Sequence, residues 1–249
     1  MTGDGSPAAN TALWNAHADW WQQEFTGGVD PEYTEQIIPV IVEGLGGGGL
    51  VVDVGTGEGQ VARALAATGC RVVGVDPIAG QVELAARRGG GPSYGRATAD
   101  RLPLASGVAD AAVACLVFEH IDAVDDAIAE IARVLRPGGR FLFLLNHPLL
   151  QTPGSGWIDD QIIEPPEQYW RIGPYLTEAE TVEEVQKDVF IRFVHRPLSR
   201  YLNALIAAGL SLTAMQEPAP PPGFLAAAEH YRDAATIPRL LVLHLTKQS

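Results

Sequence analysis

Residues 51–59 read Val51-Val52-Asp53-Val54-Gly55-Thr56-Gly57-Glu58-Gly59. An apolar run at 50–54 enters this stretch, and an amphipathic run at 60–68 leaves it with Val61, Ala64 and Leu65 on one side. The reading is a buried strand, a glycine turn and a helix. Glycine suits such a turn because a side chain would keep a ligand from the backbone. In open α/β sheets, ligands sit outside the carboxyl ends of the strands, where this turn falls. A glycine-rich turn alone can also be purely structural.

The pattern repeats on the C-terminal side. Residues 71–75 read as a second strand, 81–88 as a helix stopped by Gly89 to Gly91, 93–99 as a weaker third strand and 109–117 as a fourth. Residues 124–135 form a helix with Val124, Ile128, Ile131, Ala132 and Leu135 on one face; Pro137-Gly138-Gly139 stops it and 140–145 is a fifth strand. Strands alternating with helices predict an α/β fold, a parallel sheet covered on both faces. On the N-terminal side lie an aromatic cluster (Trp14, Trp20, Trp21, Phe25), a break at Gly27-Gly28 and a second helix over 33–45.

After His147 the alternation fails. Residues 148–184 hold Pro, Gly, Trp157, Tyr169, Trp170 and Tyr175, and read as a lid; the acidic run 178–184 reads as a solvated helix face. Residues 185–194 are expected as a strand, 197–208 as a helix with Pro at its start and Gly209 at its stop, and 210–215 and 240–245 as closing strands. The expected organisation is one domain over 1–249: a cap at 1–45, a ligand-binding core at 46–147, a lid at 148–184 and completion of the sheet by 185–249.

Two acids support the glycine turn as a ligand site. Asp76, followed by Pro77, ends the second strand at the spacing where a carboxylate can accept both hydroxyls of a ribose. Asp100, followed by Arg101, comes after the third strand, where its carboxylate can meet an adenine amino group and the next N–H the ring. A loop-capping Asp76 and a solvated Asp100 are the plain alternatives. The spacing Gly55-x-Gly57-x-Gly59 is not the G-x-G-x-x-G of dinucleotide enzymes, and the Lys-Ser/Thr ending of a P-loop is missing.

Together these segments resemble the class I S-adenosylmethionine (SAM)-dependent methyltransferases, in particular the broad family typified by ubiquinone/menaquinone C-methyltransferases. The resemblance rests on 53–59, Asp76, 99–104, 110–120 and the Arg136-Pro137-Gly138-Gly139 turn, and is close over roughly 48–147. It implies a Rossmann-like, seven-stranded, mostly parallel sheet with helices on both faces, an N-terminal helical cap and a lid. It implies SAM as cofactor and S-adenosylhomocysteine as product. Asp53 would anchor the methionine amino group, Gly55 and Gly57 would approach the methionine part, and Asp76 with Pro77 would hold the ribose. Asp100 and Arg101 would hold adenine, the main chain at Leu116 would contact the amine, and Trp20 and Tyr33 would cap the cofactor. A core role for the tryptophans is equally open.

Methyl transfer from a sulfonium is an in-line displacement in which the protein supplies position, desolvation and sometimes a base. The candidate bases are His120, His147 and His195, each at a predicted strand end. No compact metal-ligand spacing occurs, so no metal is expected. The 17 basic and 30 acidic residues give a net charge of −13, which disfavours nucleic acid and anionic membranes. Cys70 and Cys115 read as buried free thiols, and the start of the chain shows no signal-peptide pattern, so a cytoplasmic protein, monomeric or homodimeric, is expected. The expected reaction is methylation of a small organic molecule, with oxygen favoured as acceptor. A SAM-binding cyclase or isomerase, or a non-catalytic binding module, are the alternatives.

Overall fold

The computed structural model describes Trp14, residues 30–228 and residues 233–249. The first ten residues, Trp20, Trp21, Phe25, His17 and His230 lie outside the described residues. The seven-stranded sheet has the order β10-β11-β5-β4-β1-β2-β3. Its strands are β1 (Leu50–Val54), β2 (Arg71–Asp76), β3 (Ser93–Arg96), β4 (Ala109–Cys115), β5 (Leu135–Asn146), β10 (Leu210–Gln216) and β11 (Leu240–Lys247). Strands β3, β2, β1, β4 and β5 pair in parallel, and β11 runs antiparallel to both β5 and β10. The parallel sheet expected from the alternation, and the Rossmann-like, seven-stranded form that the resemblance implies, are thus present.

The helices are α1 (Ile38–Leu45, entered through a π-helical turn Tyr33–Ile37), α2 (Gln60–Ala67), α3 (Ala79–Arg88), α4 (Val124–Val134), α5 (Leu198–Ala207) and α6 (Pro222–Ala227). Successive side chains of a strand face opposite ways, and β5 shows what this does. Phe141, Phe143 and Leu145 pack with Ile128 and Ile131 of α4 and Tyr201 and Leu205 of α5. Leu142 and Leu144 pack on the other side with Ile41 and Leu45 of α1 and Val61 and Leu65 of α2. Two apolar layers therefore clamp the sheet and fix the carboxyl ends of β1, β2 and β4 relative to one another.

The structure corrects the reading of residues 178–195. The acidic run is not a helix face but most of β8 (Ala179–Gln186), and the expected sheet strand at 185–194 is β9 (Val189–His195), which pairs antiparallel with β8 outside the main sheet. A cross-strand ion pair accompanies the pairing. Val182 stands opposite Arg192, and the Arg192 guanidinium reaches Glu180, two residues along, at 2.8 Å. A second hairpin, β6 (Gly156–Asp160) with β7 (Glu167–Arg171), pairs Trp157 with Trp170. The segment between β5 and α5 is thus two hairpins, longer than the lid expected at 148–184. The third strand is shorter than the expected 93–99, ending at Arg96.

Candidate cofactor and active site

The glycine turn leaves β1 at the carboxyl edge and is pinned to β2, for the N–H groups of Gly55 and Thr56 both donate to the Val75 carbonyl, at 2.9 and 3.0 Å. Gly55 (φ +74°) and Gly57 (φ +52°) adopt the left-handed backbone that glycine takes without penalty. Their surroundings differ. A Cβ on Gly55 would fall 2.3 Å from Val117 Cγ2, whereas one on Gly57 would meet nothing within 4 Å. Gly55 is glycine for packing, and Gly57 opens backbone to a cavity.

That cavity, of about 330 Å³, runs over the carboxyl ends of β1, β2 and β4. Asp53, Gly55, Gly57, Asp76, Pro77, Asp100, Leu116 and Tyr33, all expected at a cofactor, line it. Asp53 is 1% exposed and accepts the Thr56 hydroxyl at 2.6 Å. Burial pushes its carboxyl up to about 7, aided by the neighbouring charge of Asp76. Asp76 uses Oδ2 for the Gly57 N–H and Oδ1 for the Ile78 N–H, both at 2.9 Å. Burial raises it to about 6, against the pull of those two donors. Leu116 holds φ +53°, a strained setting for a branched side chain, directly after β4. Tyr33 packs beside Cys115, and burial drives both groups well above their ordinary range.

One expected cofactor residue is placed differently. Arg101 does not line the cavity, and its N–H donates to the Thr98 carbonyl at 3.1 Å, so the tight turn has taken the donor meant for adenine. Trp20 lies outside the described residues, while Trp14 from the same aromatic cluster does line the cavity.

The three histidines separate. His120 lines the cavity in the short turn after β4, with Trp14 at 4.8 Å edge-on and Phe193 at 5.0 Å between ring centroids. Its Nδ1 lies 2.8 Å from the Arg192 carbonyl, and burial holds the ring down to about 4. His147 and His195 do not line the cavity, contrary to their place among the candidate bases. His147 Nε2 is 2.7 Å from Glu217 and its Nδ1 accepts the Leu149 N–H at 3.2 Å. His195 Nε2 donates to the Tyr175 carbonyl at 2.8 Å. Ends of strands are not equivalent here: β9 is off the sheet, and the chain after β5 turns toward β11, where His147 N–H meets the Arg239 carbonyl at 2.7 Å.

Two buried acids went unread in the sequence. Glu58, inside the glycine motif, lines the cavity and is gripped by Arg63 at 2.7 Å and by Arg88. Glu119 is 3% exposed; its Oε1 accepts both the Asn146 N–H (3.1 Å) and Nδ2 (2.8 Å), and burial raises it to about 7. The signal available for Glu119 was an acid continuing an apolar strand.

Residues 52–143 match the family model described as "Methyltransferase domain". An uncharacterised methyltransferase of Mycobacterium ulcerans is 37% identical over 111 residues, 44% of this chain and 43% of that protein. A demethylmenaquinone methyltransferase of Thermobifida fusca is 31% identical over 148 residues, 53% of this chain and 61% of its own. The chain thus spans less than two thirds of these curated relatives. Over the tertiary structure the likeness is wider. The crystal structure of a SAM-dependent methyltransferase from Mesorhizobium loti superposes with a TM-score of 0.72 at 26% identity, covering 85% of this chain and 96% of that one. Residues 52–143 thus match a methyltransferase domain, within a fold like that of a solved SAM-dependent methyltransferase. The cavity has what SAM needs: buried acids at Asp53 and Asp76 for a cationic amine and a ribose diol, and bare backbone at Gly57. Among the described residues of the domain, no cluster of three His, Cys, Asp or Glu side chains could hold a metal ion, and no helix is long and apolar enough to cross a membrane.

Proposed function

We propose that the protein methylates a small organic molecule at a hydroxyl oxygen, using SAM and releasing S-adenosylhomocysteine. The observation that carries this reading is the convergence of Asp53, Gly57, Asp76 and Asp100 on one cavity at the carboxyl edge of the sheet. When bound there, SAM supplies a methyl carbon on a sulfonium, whose C–S electron pair stays on sulfur after transfer.

The chain's own residues do the rest. Asp53 meets the cationic amine, which favours its ionised form. The outward lone pairs of Asp76 accept the ribose hydroxyls while its inward ones keep the turn closed. Asp100 meets the adenine amino group. Tyr33, Trp14 and Ile121 supply apolar wall that excludes water. His120 is the general base. Buried and neutral, it can take the hydroxyl proton as the oxygen bonds to carbon. The net charge of −13 argues for a small acceptor over nucleic acid.

Calorimetric titration with S-adenosylhomocysteine, followed by a screen of hydroxylated acceptors for its release from SAM, tests the proposal. Micromolar binding and acceptor-dependent release are expected. Absence of binding would sink the cofactor assignment. Turnover of an acceptor without S-adenosylhomocysteine would replace transfer by a cyclase- or isomerase-type reaction.

A further inference from the structure

Residues 118–122 carry His120, Ile121 and Asp122 into the cavity wall, and their attachment comes from the hairpin β8–β9. The Arg192 carbonyl meets His120 Nδ1 at 2.8 Å, and its Nη2 donates to Asp122 Oδ1 at 2.6 Å. Four residues on, Arg196 donates to the carbonyls of Phe118 (3.2 Å), Ile121 (2.8 Å) and Asp122 (3.1 Å). Both arginines are nearly sealed, at 3% and 4% exposed. A buried guanidinium persists only where carbonyls and carboxylates satisfy it, so the loop and the hairpin hold each other in place.

The hydrogen bond to Arg192 also decides the chemistry of the ring. A carbonyl oxygen only accepts, so Nδ1 must donate, and in a neutral imidazole the other nitrogen is then the acceptor. We propose that Arg192 and Arg196 are positioning residues for His120: the β8–β9 hairpin fastens the 118–122 loop and fixes the ring with Nδ1 protonated and Nε2 as its basic nitrogen. The hairpin is then the rear support of the reacting loop rather than a cover over the substrate. The inference rests on the methyltransferase reading for its catalytic meaning, but not for its geometry. Burial supports it by keeping the ring neutral, with Arg192 and Arg196 as the charged groups facing the loop.

The test is long-range ¹⁵N–¹H NMR of the imidazoles in the full chain at pH 7, with the His120 signals identified by their loss in His120→Gln. The expected result is a single neutral tautomer protonated at Nδ1. An Nε2–H tautomer or an imidazolium would overturn the proposal without any variant being made. Arg196→Met is expected to mix the tautomers, and a pure Nδ1–H signal in that variant removes the hairpin's role. Since loss of a buried arginine can unfold the loop, Glu180→Gln, at the half-exposed partner of Arg192, is the second variant. Faster solvent exchange of the Nδ1 proton is expected there, and an unchanged rate counts against the proposal. Calorimetry with S-adenosylhomocysteine on the same samples separates the two ideas: failure to bind ends the methyltransferase reading while the tautomer stands or falls on its own signal.

Discussion

Asp76 reaches back nineteen residues to Gly57, accepting its N–H at 2.9 Å, so the acid that would hold the ribose also shapes the turn that would meet the methionine part. One carboxylate therefore couples β2 to the turn after β1. Removing it opens the cavity at two places at once.

For Asp76→Ala, affinity for S-adenosylhomocysteine is expected to fall at least tenfold, about 1.4 kcal/mol. Two buried N–H groups, of Gly57 and Ile78, also lose their acceptor, which costs on the order of 1–3 kcal/mol each less the relief of a buried charge. Calorimetry and thermal unfolding together read both effects. Asp76→Asn, which keeps one acceptor oxygen, should fall between the two, and equal affinity in all three proteins would remove Asp76 from the ribose site.

Gly55→Ala and Gly57→Ala should part company. The first drives a methyl group toward Val117 and is expected to cost about 1–3 kcal/mol in stability. The second meets no neighbour, so only the left-handed backbone penalty of roughly 1–2 kcal/mol applies. Its methyl group, however, enters the cavity, and ligand affinity should drop well beyond the loss in stability. Unfolding curves with and without S-adenosylhomocysteine check the contrast.

Stability of the unliganded protein should fall as pH rises through neutrality. Asp53 and Glu119 titrate near 7 and Asp76 near 6 in the folded chain, above their ordinary values near 4. The folded form thus binds more protons than the unfolded form between those limits, and raising the pH favours unfolding. His120, held down to about 4, acts in the opposite sense only below about 6.5. A thermal midpoint that rises between pH 6.5 and 7.5 would contradict the burial of these acids.

Ligand binding should show the reverse dependence. A cationic amine pairs with ionised Asp53, so binding releases a proton below about pH 7. Affinity for S-adenosylhomocysteine is expected to weaken by up to about tenfold per pH unit on acidification through that range. Asp53→Asn should flatten the profile. A wild-type affinity constant from pH 5.5 to 8 would separate Asp53 from the amine.

At saturating SAM, turnover should persist to about pH 5, because His120 stays neutral until about 4. His120→Gln is expected to lower kcat by about 10²–10⁴-fold with little change in cofactor affinity. A small change in kcat would make His120 a wall residue only.

The sheet was legible because short continuous apolar runs, alternating with amphipathic helices and bounded by glycine turns, admit few other arrangements, and β1, β2, β4 and the helices between them fall within two residues of where the pattern places them. The hairpin β8–β9 was not legible. Its acids suit a solvated helix as well as a strand, and what separates the two is pairing with β9, including Arg192 on Glu180, which local pattern does not reveal. The same holds for Arg101, whose amide is taken by a turn that composition does not reveal.

By itself the sequence determined the fold class and brought Asp53, Gly55, Gly57, Asp76 and Asp100 to one edge of the sheet, because these are set by local spacing: a strand end, a glycine turn and an acid at the next strand end. Only the tertiary structure decided among the histidines. His120, His147 and His195 are alike as strand-end residues, and what separates them is contact across long stretches of chain: Arg192 against His120, Glu217 against His147 and Tyr175 against His195. Burial and hydrogen bonding set a proton's position, and both are properties of packing rather than of order along the chain.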